Sequence, residues 1–223
     1  MIISFVNQKG GVGKSTLSVH LACWLKERCN YSVSFYDADA QSSSTNWLRV
    51  YDPEIELLAI DTQNVDIIPD QIFQLAEKTD FTICDGPGGL GEVTRTLLIL
   101  SDIAIFPITP SFLDAASLQK AKAQLQYANS INPAKPPIAR VLLNRVQTRS
   151  KLAKETREAQ KAMGIDMLSA SVRDLNSFRL AALNKTVVWK MGAQAVQARD
   201  DVLALFREIE KLIPVKKEMV ING

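Results

Sequence analysis

The chain has 223 residues, 47% of them hydrophobic and 22% charged, which suits one domain with a sizeable core and excludes the compositional bias of disorder. Its net charge of +2 hides an asymmetry: residues 1–119 hold 7 Lys+Arg against 15 Asp+Glu, giving −8, and residues 120–223 hold 19 against 9, giving +10. No run is long enough to span a membrane, because the most apolar stretch, 97–108, is interrupted by Ser101 and Asp102.

The first predicted element is a strand, the apolar run Ile2, Ile3, Phe5 and Val6. It enters a glycine-rich turn within VNQKGGVGKST (6–16) and then a helix-like stretch, Leu17 to Arg28. With Gly10, Gly11 and Gly13 in the turn, backbone N–H groups and the helix N-terminus can converge on a polyphosphate. Lys14 is placed to reach the outer phosphates, and the Ser15 hydroxyl stands where Mg²⁺ needs an oxygen. The match to G-x-x-x-x-G-K-[ST] is incomplete, since its first glycine falls at Gln8 and a second lysine, Lys9, precedes the glycines. A plain tight turn is the alternative, but strand before, helix after and Gly-Lys-Ser at the junction outweigh it.

The run Val33 to Tyr36 predicts a strand ending at Asp37 and Asp39. Residues 42–54 carry Ser, Asn, Asp and Pro and read as loop, with a turn of helix near Trp47. Glu56 to Ile60 reads as strand, and Asp70 to Lys78 as a helix with Ile72, Phe73, Leu75 and Ala76 on one face. Phe81 to Cys84 is a buried-strand pattern ending in Asp85-Gly86-Pro87-Gly88-Gly89. A carboxylate at that tip can hold Mg²⁺ through water, and the glycines after it form a loop that can respond to a γ-phosphate.

Glu92 to Leu100 reads as helix, Ile103 to Ile108 as strand and Phe112 to Ser130 as helix. The strand Ile138 to Leu143 is followed by Asn144 and Arg145, then by a helical stretch from Ser150 to Met163. A short strand, Leu168 to Val172, and helices at Asp174 to Leu183 and about Gln194 to Leu212 complete the chain. This alternation predicts an α/β fold: one domain, residues 1–223, with a mostly parallel, doubly wound sheet covered by helices on both faces. Cys23, Cys29 and Cys84 lack metal-ligand spacing and fit a reducing compartment, so a cytoplasmic location is expected. His20, Trp24, Trp47 and Trp189 are expected to serve packing.

KGGVGKST at 9–16, DADAQ at 37–41, ICDGP at 83–87 and LNR at 143–145 together resemble the ParA/MinD group of deviant Walker ATPases, over nearly the whole chain. The small, single-domain ParA proteins of the ParF type are the most similar branch. The resemblance implies an ATP- and Mg²⁺-dependent ATPase with this phosphate-loop fold. In it Gly10, Gly11, Val12 and Gly13 cradle phosphates, Lys14 contacts the β- and γ-phosphates, Ser15 binds Mg²⁺ and Thr16 touches the α-phosphate. Lys9 is then the signature lysine that reaches across an ATP-sandwiched homodimer, and Asp39 orients the attacking water. Asp37 stands near the metal shell, Asp85 is the second metal carboxylate, and Asn144, with Arg145 beside it, meets adenine. The family usually has Pro where this chain has Ala40, which leaves the turn at Asp39 less rigid.

The same resemblance implies nonspecific DNA binding by the ATP dimer and a nucleoid-associated location, with Arg173, Arg179, Lys185 and Lys190 as candidate DNA contacts. It also implies a ParB-like or other adaptor that stimulates hydrolysis, and a cargo that is a plasmid or a protein body such as a carboxysome. A MinD-like membrane cycle shares the nucleotide motifs. It calls for an amphipathic C-terminal helix, whereas the tail PVKKEMVING opens on Pro214, so no stable membrane association is expected. An iron-sulfur reductase with this loop would need bridging cysteines that the chain does not offer.

Overall fold

The computed structural model describes residues 1–61, 64–89, 91–110, 114–147 and 164–214. Its frame is a seven-stranded sheet: β1 Ile2–Asn7, β2 Val33–Asp37, β3 Glu56–Ala59, β4 Phe81–Gly88, β5 Ile103–Ile108, β6 Ile138–Val146 and β7 Met167–Arg173. The strand order is β3-β2-β4-β1-β5-β6-β7, with every pairing parallel. The helices are α1 Lys14–Cys29, α2 Ser43–Tyr51, α3 Ile68–Lys78, α4 Glu92–Leu100, α5 Asp114–Ile131, α6 Asn176–Leu183 and α7 Val196–Glu210.

Both sheet faces are buried, and the strands show why they read as continuous apolar runs. In β1, Ile3 and Phe5 join one core with Leu21, Leu25, Trp24 and Phe206, while Ile2 and Val6 join a second with Ile72, Leu97 and Ala128. The same alternation places Ile103 and Ile105 of β5 in the first core and Ala104 and Phe106 in the second. Each fully buried Leu, Ile or Phe contributes about 1.5–3 kcal/mol relative to an exposed one.

Three expectations need correction. Residues 42–54 are mostly helix, not loop, because α2 buries Trp47 and Leu48 and takes a side-chain anchor from Asp37 that its Ser- and Asn-rich sequence does not advertise. Phe73 is 49% exposed, so the buried stripe of α3 is Ile68, Ile72 and Leu75. Strands β4 and β6 run past their apolar cores, which puts Asp85, Asn144 and Arg145 inside strands. The helix expected from Ser150 to Met163 and the start expected at Phe112 lie outside the described residues.

His20 is a packed residue, fully buried in α1. Its Nε2 accepts the Val188 N–H at 3.2 Å, so the proton sits on Nδ1, which donates to the Thr16 carbonyl at 2.7 Å. Rings of Trp47, Phe178 and Trp189 meet it edge-on. Burial pushes its pKa down to about 4, against the pull of the Thr16 carbonyl. A depressed histidine pKa means the neutral form is built into the fold. Its contribution is complete above the unfolded value of 6.5 and is lost as pH falls from 6.5 towards 4. Denaturant unfolding at both ends of that window should show the parent losing roughly 3 kcal/mol more than His20→Gln. Comparing the two chains cancels the other titrating groups, and equal losses would refute the assignment.

Candidate nucleotide-binding site

The site lies at the carboxyl ends of β1, β2 and β4, where an open parallel sheet changes winding direction. Asn7 ends β1 and ties down both sides of the turn. Its Nδ2 donates to the Pro107 carbonyl at 2.5 Å, and its Oδ1 accepts the Lys9 N–H at 3.1 Å. The turn then passes through Gly11 (φ 74°) and Gly13 (φ 93°), and α1 begins at Lys14. Among the described residues no side chain caps α1, and its first turn has no acid, so its N–H groups are open to an anion.

Gly13 is the turn's critical glycine. Besides its left-handed φ, a Cβ there would stand 2.2 Å from Nδ2 of Asn144. That nitrogen donates to the Val12 carbonyl at 2.6 Å, so Asn144 supports the loop from below with one of its amide N–H groups. Arg145 braces the next carbonyl, its Nη1 reaching Gly11 O at 2.9 Å. It has φ 56° and lies where the register of β6 against β7 shifts, between Leu143 and Val146.

Beneath the loop, four charged residues meet. Lys14 is buried, and its Nζ donates to the Lys9 carbonyl at 3.2 Å. Burial holds its pKa below the usual lysine value, while Asp85 and Asp39 pull it back up. Asp37 and Asp85 are register partners on β2 and β4, and both are fully buried. Burial pushes the Asp85 carboxyl up to about 7, opposed first by the Ser15 and Ser44 hydroxyls. Ser44 donates to Oδ2 of Asp85, whereas Oδ1 is buried without a hydrogen-bond partner among the described residues.

Asp37, beside Asp85 in the sheet, is the more heavily bonded of the two acids. Its Oδ2 accepts the Thr45 N–H at 2.8 Å and the Thr45 hydroxyl at 2.9 Å, and its Oδ1 accepts the Asp39 N–H at 3.1 Å. Asp37 therefore anchors α2 and the turn, with both of its oxygens accepting protein hydrogen bonds. Burial still raises its pKa, with those bonds opposing. Asp39 is half-buried at the turn itself, and its Oδ1 accepts the Gln41 N–H at 3.0 Å.

Beside the loop is a cavity of about 200 Å³ whose walls include Gly13, Thr16, Asn144, Leu175, Phe178 and Ala182. Nothing in the linear motifs singles out Leu175 and Phe178; the signal for them is an apolar pair within five residues of the end of β7. A larger groove, about 1200 Å³, lies at the opposite sheet edge near Tyr31, Asp80, Lys135 and Ile213, away from every motif.

The basic candidates separate. Arg173 forks onto Asp201 with contacts of 2.7 and 2.9 Å, which commits its guanidinium to an internal pair. Arg179 pairs with Asp174 at 2.8 Å on the cavity wall, where Asp174 also meets Arg145. Lys190 stands 3.6 Å from Glu27. Lys185 makes no ion pair among the described residues and is the candidate still open to a phosphate.

A parallel sheet with a glycine turn entering an uncapped helix, a buried lysine at its start and carboxylates on the neighbouring strands defines a phosphate-loop nucleotide-binding protein. The chain belongs to the CobQ/CobB/MinD/ParA nucleotide-binding domain family, whose model matches residues 3–188. It is 27% identical over 213 residues to the Maintenance of carboxysome distribution protein A of Halothiobacillus neapolitanus, covering 93% of this chain and 95% of that one. The protein of the same name in Gloeobacter kilaueensis is 30% identical over 223 residues, 94% of each chain. The solved apo McdA of Cyanothece superposes with a TM-score of 0.73 at 17% identity, covering 92% of this chain and 98% of that one, which confirms the fold.

Proposed function

We propose that this protein is a Mg²⁺-dependent ATPase that works as a dimerising switch, binds DNA without sequence preference in its ATP form, and positions a cargo through an adaptor protein. The observation that carries the reading is the meeting of Lys14, Asp39 and Asp85 beneath the open N-terminus of α1. The residues fit a hydrated Mg²⁺: Asp85 has a buried oxygen without a partner among the described residues, and the Ser15 hydroxyl faces the same carboxyl. Among the described residues no group of three or more His, Cys, Asp or Glu could enclose a metal, so phosphates and water would complete the shell, as Mg²⁺ prefers.

Bound Mg²⁺ would neutralise phosphate charge as the terminal phosphoryl group departs. Of the protein groups, Lys14 would hold the outer phosphates and Thr16 the inner one. Asp39 would orient the attacking water in line, and Lys9 would reach the nucleotide of the partner copy. One N–H of Asn144 is spent on the loop, so in this reading Leu175 and Phe178 would form the apolar wall for the base. Loss of the γ-phosphate would release these contacts and the dimer. Whole-length similarity to two carboxysome distribution proteins supports a protein cargo over a plasmid.

The test is binding to a random-sequence DNA duplex with ATP, ADP or no nucleotide, alongside anionic liposomes. ATP-dependent DNA binding should fall by about three to five decades between low and moderate salt if six to ten phosphates are contacted. Lys9→Ala should retain ATP binding and lose hydrolysis. Equal DNA binding with ADP would refute the switch, and ATP-dependent binding to liposomes alone would transfer the protein to a membrane cycle.

A further inference from the structure

Two adjacent buried carboxylates hold two consecutive hydroxyls. Asp37 and Asp85 are neighbours across β2 and β4, and their partners, Thr45 and Ser44, both lie in the first turn of α2. The two contacts differ in what they leave open. Asp37 uses Oδ2 for Thr45 and Oδ1 for the turn, so both oxygens already accept protein hydrogen bonds. Asp85 takes the Ser44 hydroxyl on Oδ2, and its Oδ1 is buried without a hydrogen-bond partner among the described residues. Ser15, at the start of α1, faces that same carboxyl.

A carboxylate held at one oxygen has its plane and the direction of the other oxygen fixed. We propose that Ser44 is a positioning residue for the metal carboxylate: it pins Oδ2 of Asp85, presents Oδ1 to Mg²⁺ beside Ser15, and so couples α2 to metal loading. This rests on the Mg²⁺·ATP reading above. Outer-shell partners of this kind orient a ligand that has freedom to turn, and α2 follows directly from the Asp37–Gln41 turn that carries Asp39. Metal arrival at Asp85 is thereby felt at the residue that orients water. A merely structural Ser44, one more satisfied hydroxyl at a helix start, would influence stability and nothing else.

The experiment titrates Mg²⁺ into full-length protein holding a fluorescent ATP analogue, with nucleotide affinity measured separately in EDTA. Manganese bound to the same complex is counted by electron paramagnetic resonance. Ser44→Ala should raise the Mg²⁺ midpoint about tenfold while EDTA affinity stays within about twofold of the parent. Ser44→Cys, with its weaker donor, should fall between them. Thr45→Ala, which loses only the Asp37 contact, should lower the unfolding temperature and leave the Mg²⁺ midpoint unchanged. A Ser44→Ala midpoint equal to the parent's, or an equal loss in EDTA, would overturn the assignment. If the parent binds nucleotide with no dependence on Mg²⁺, the Mg²⁺·ATP reading itself fails, and the role of Ser44 with it.

Discussion

Gly13→Ala is expected to abolish nucleotide binding while leaving the sheet folded. The new methyl would be forced to φ 93° and would stand 2.2 Å from Nδ2 of Asn144. Left-handed backbone costs an ordinary residue about 1–2 kcal/mol. Displacing Asn144 adds about 1–3 kcal/mol, because the buried Val12 carbonyl loses its donor. The cheapest escape is to move the loop, which spoils the N–H cradle, so affinity should fall by about 100-fold or more, the equivalent of about 2.7 kcal/mol. Calorimetric titration with ATP measures it. Because part of the cost is a clash with one side chain, Gly13→Ala combined with Asn144→Ala should recover some affinity, a coupling that a double-mutant cycle reads directly. Binding within about twofold of the parent would refute the steric account.

Lys14→Met should separate binding from folding even more sharply. The ammonium is buried, and burial outweighs the pull of Asp85 and Asp39, so the nucleotide-free fold bears a net cost for the charge. Methionine retains the length and apolar stem. The nucleotide-free variant should therefore melt no lower than the parent, while ATP affinity falls by about 100-fold or more through loss of charge-assisted phosphate bonds of about 1.5–3 kcal/mol each. Thermal melts with and without ATP read both effects together. A variant that melts several degrees lower without nucleotide would show that Lys14 supports the acids beneath it more than it serves the ligand.

Much of this site is local in sequence and legible there. Apolar runs that alternate between two buried faces identify β1, β2, β4 and β5. Gly, Lys and Ser between a strand and a helix identify the phosphate turn, because only those residues supply left-handed backbone, a long cation and a hydroxyl at that spacing. The placement of Asp37 and Asp85 follows from the same pattern, since an acid that closes the apolar run of a parallel strand lies near the edge where ligands bind.

What the linear chain concealed lies in contacts between distant residues. The Asn144–Val12 bond spans 132 positions and the Arg145–Gly11 bond 134, so no window of sequence contains them. Asp37 and Asp85 look alike as acids closing apolar runs, yet both oxygens of the first accept bonds from Thr45 and Asp39, whereas one oxygen of the second has no partner among the described residues. Arg173 and Lys185 look alike as basic residues, yet an acid from α7 claims the first. Composition and periodicity decide which residues can form a strand, a turn or a cationic site. Which oxygen or guanidinium remains available depends on the partner that the folded sheet brings within about 3 Å, because hydrogen bonds act only at that range.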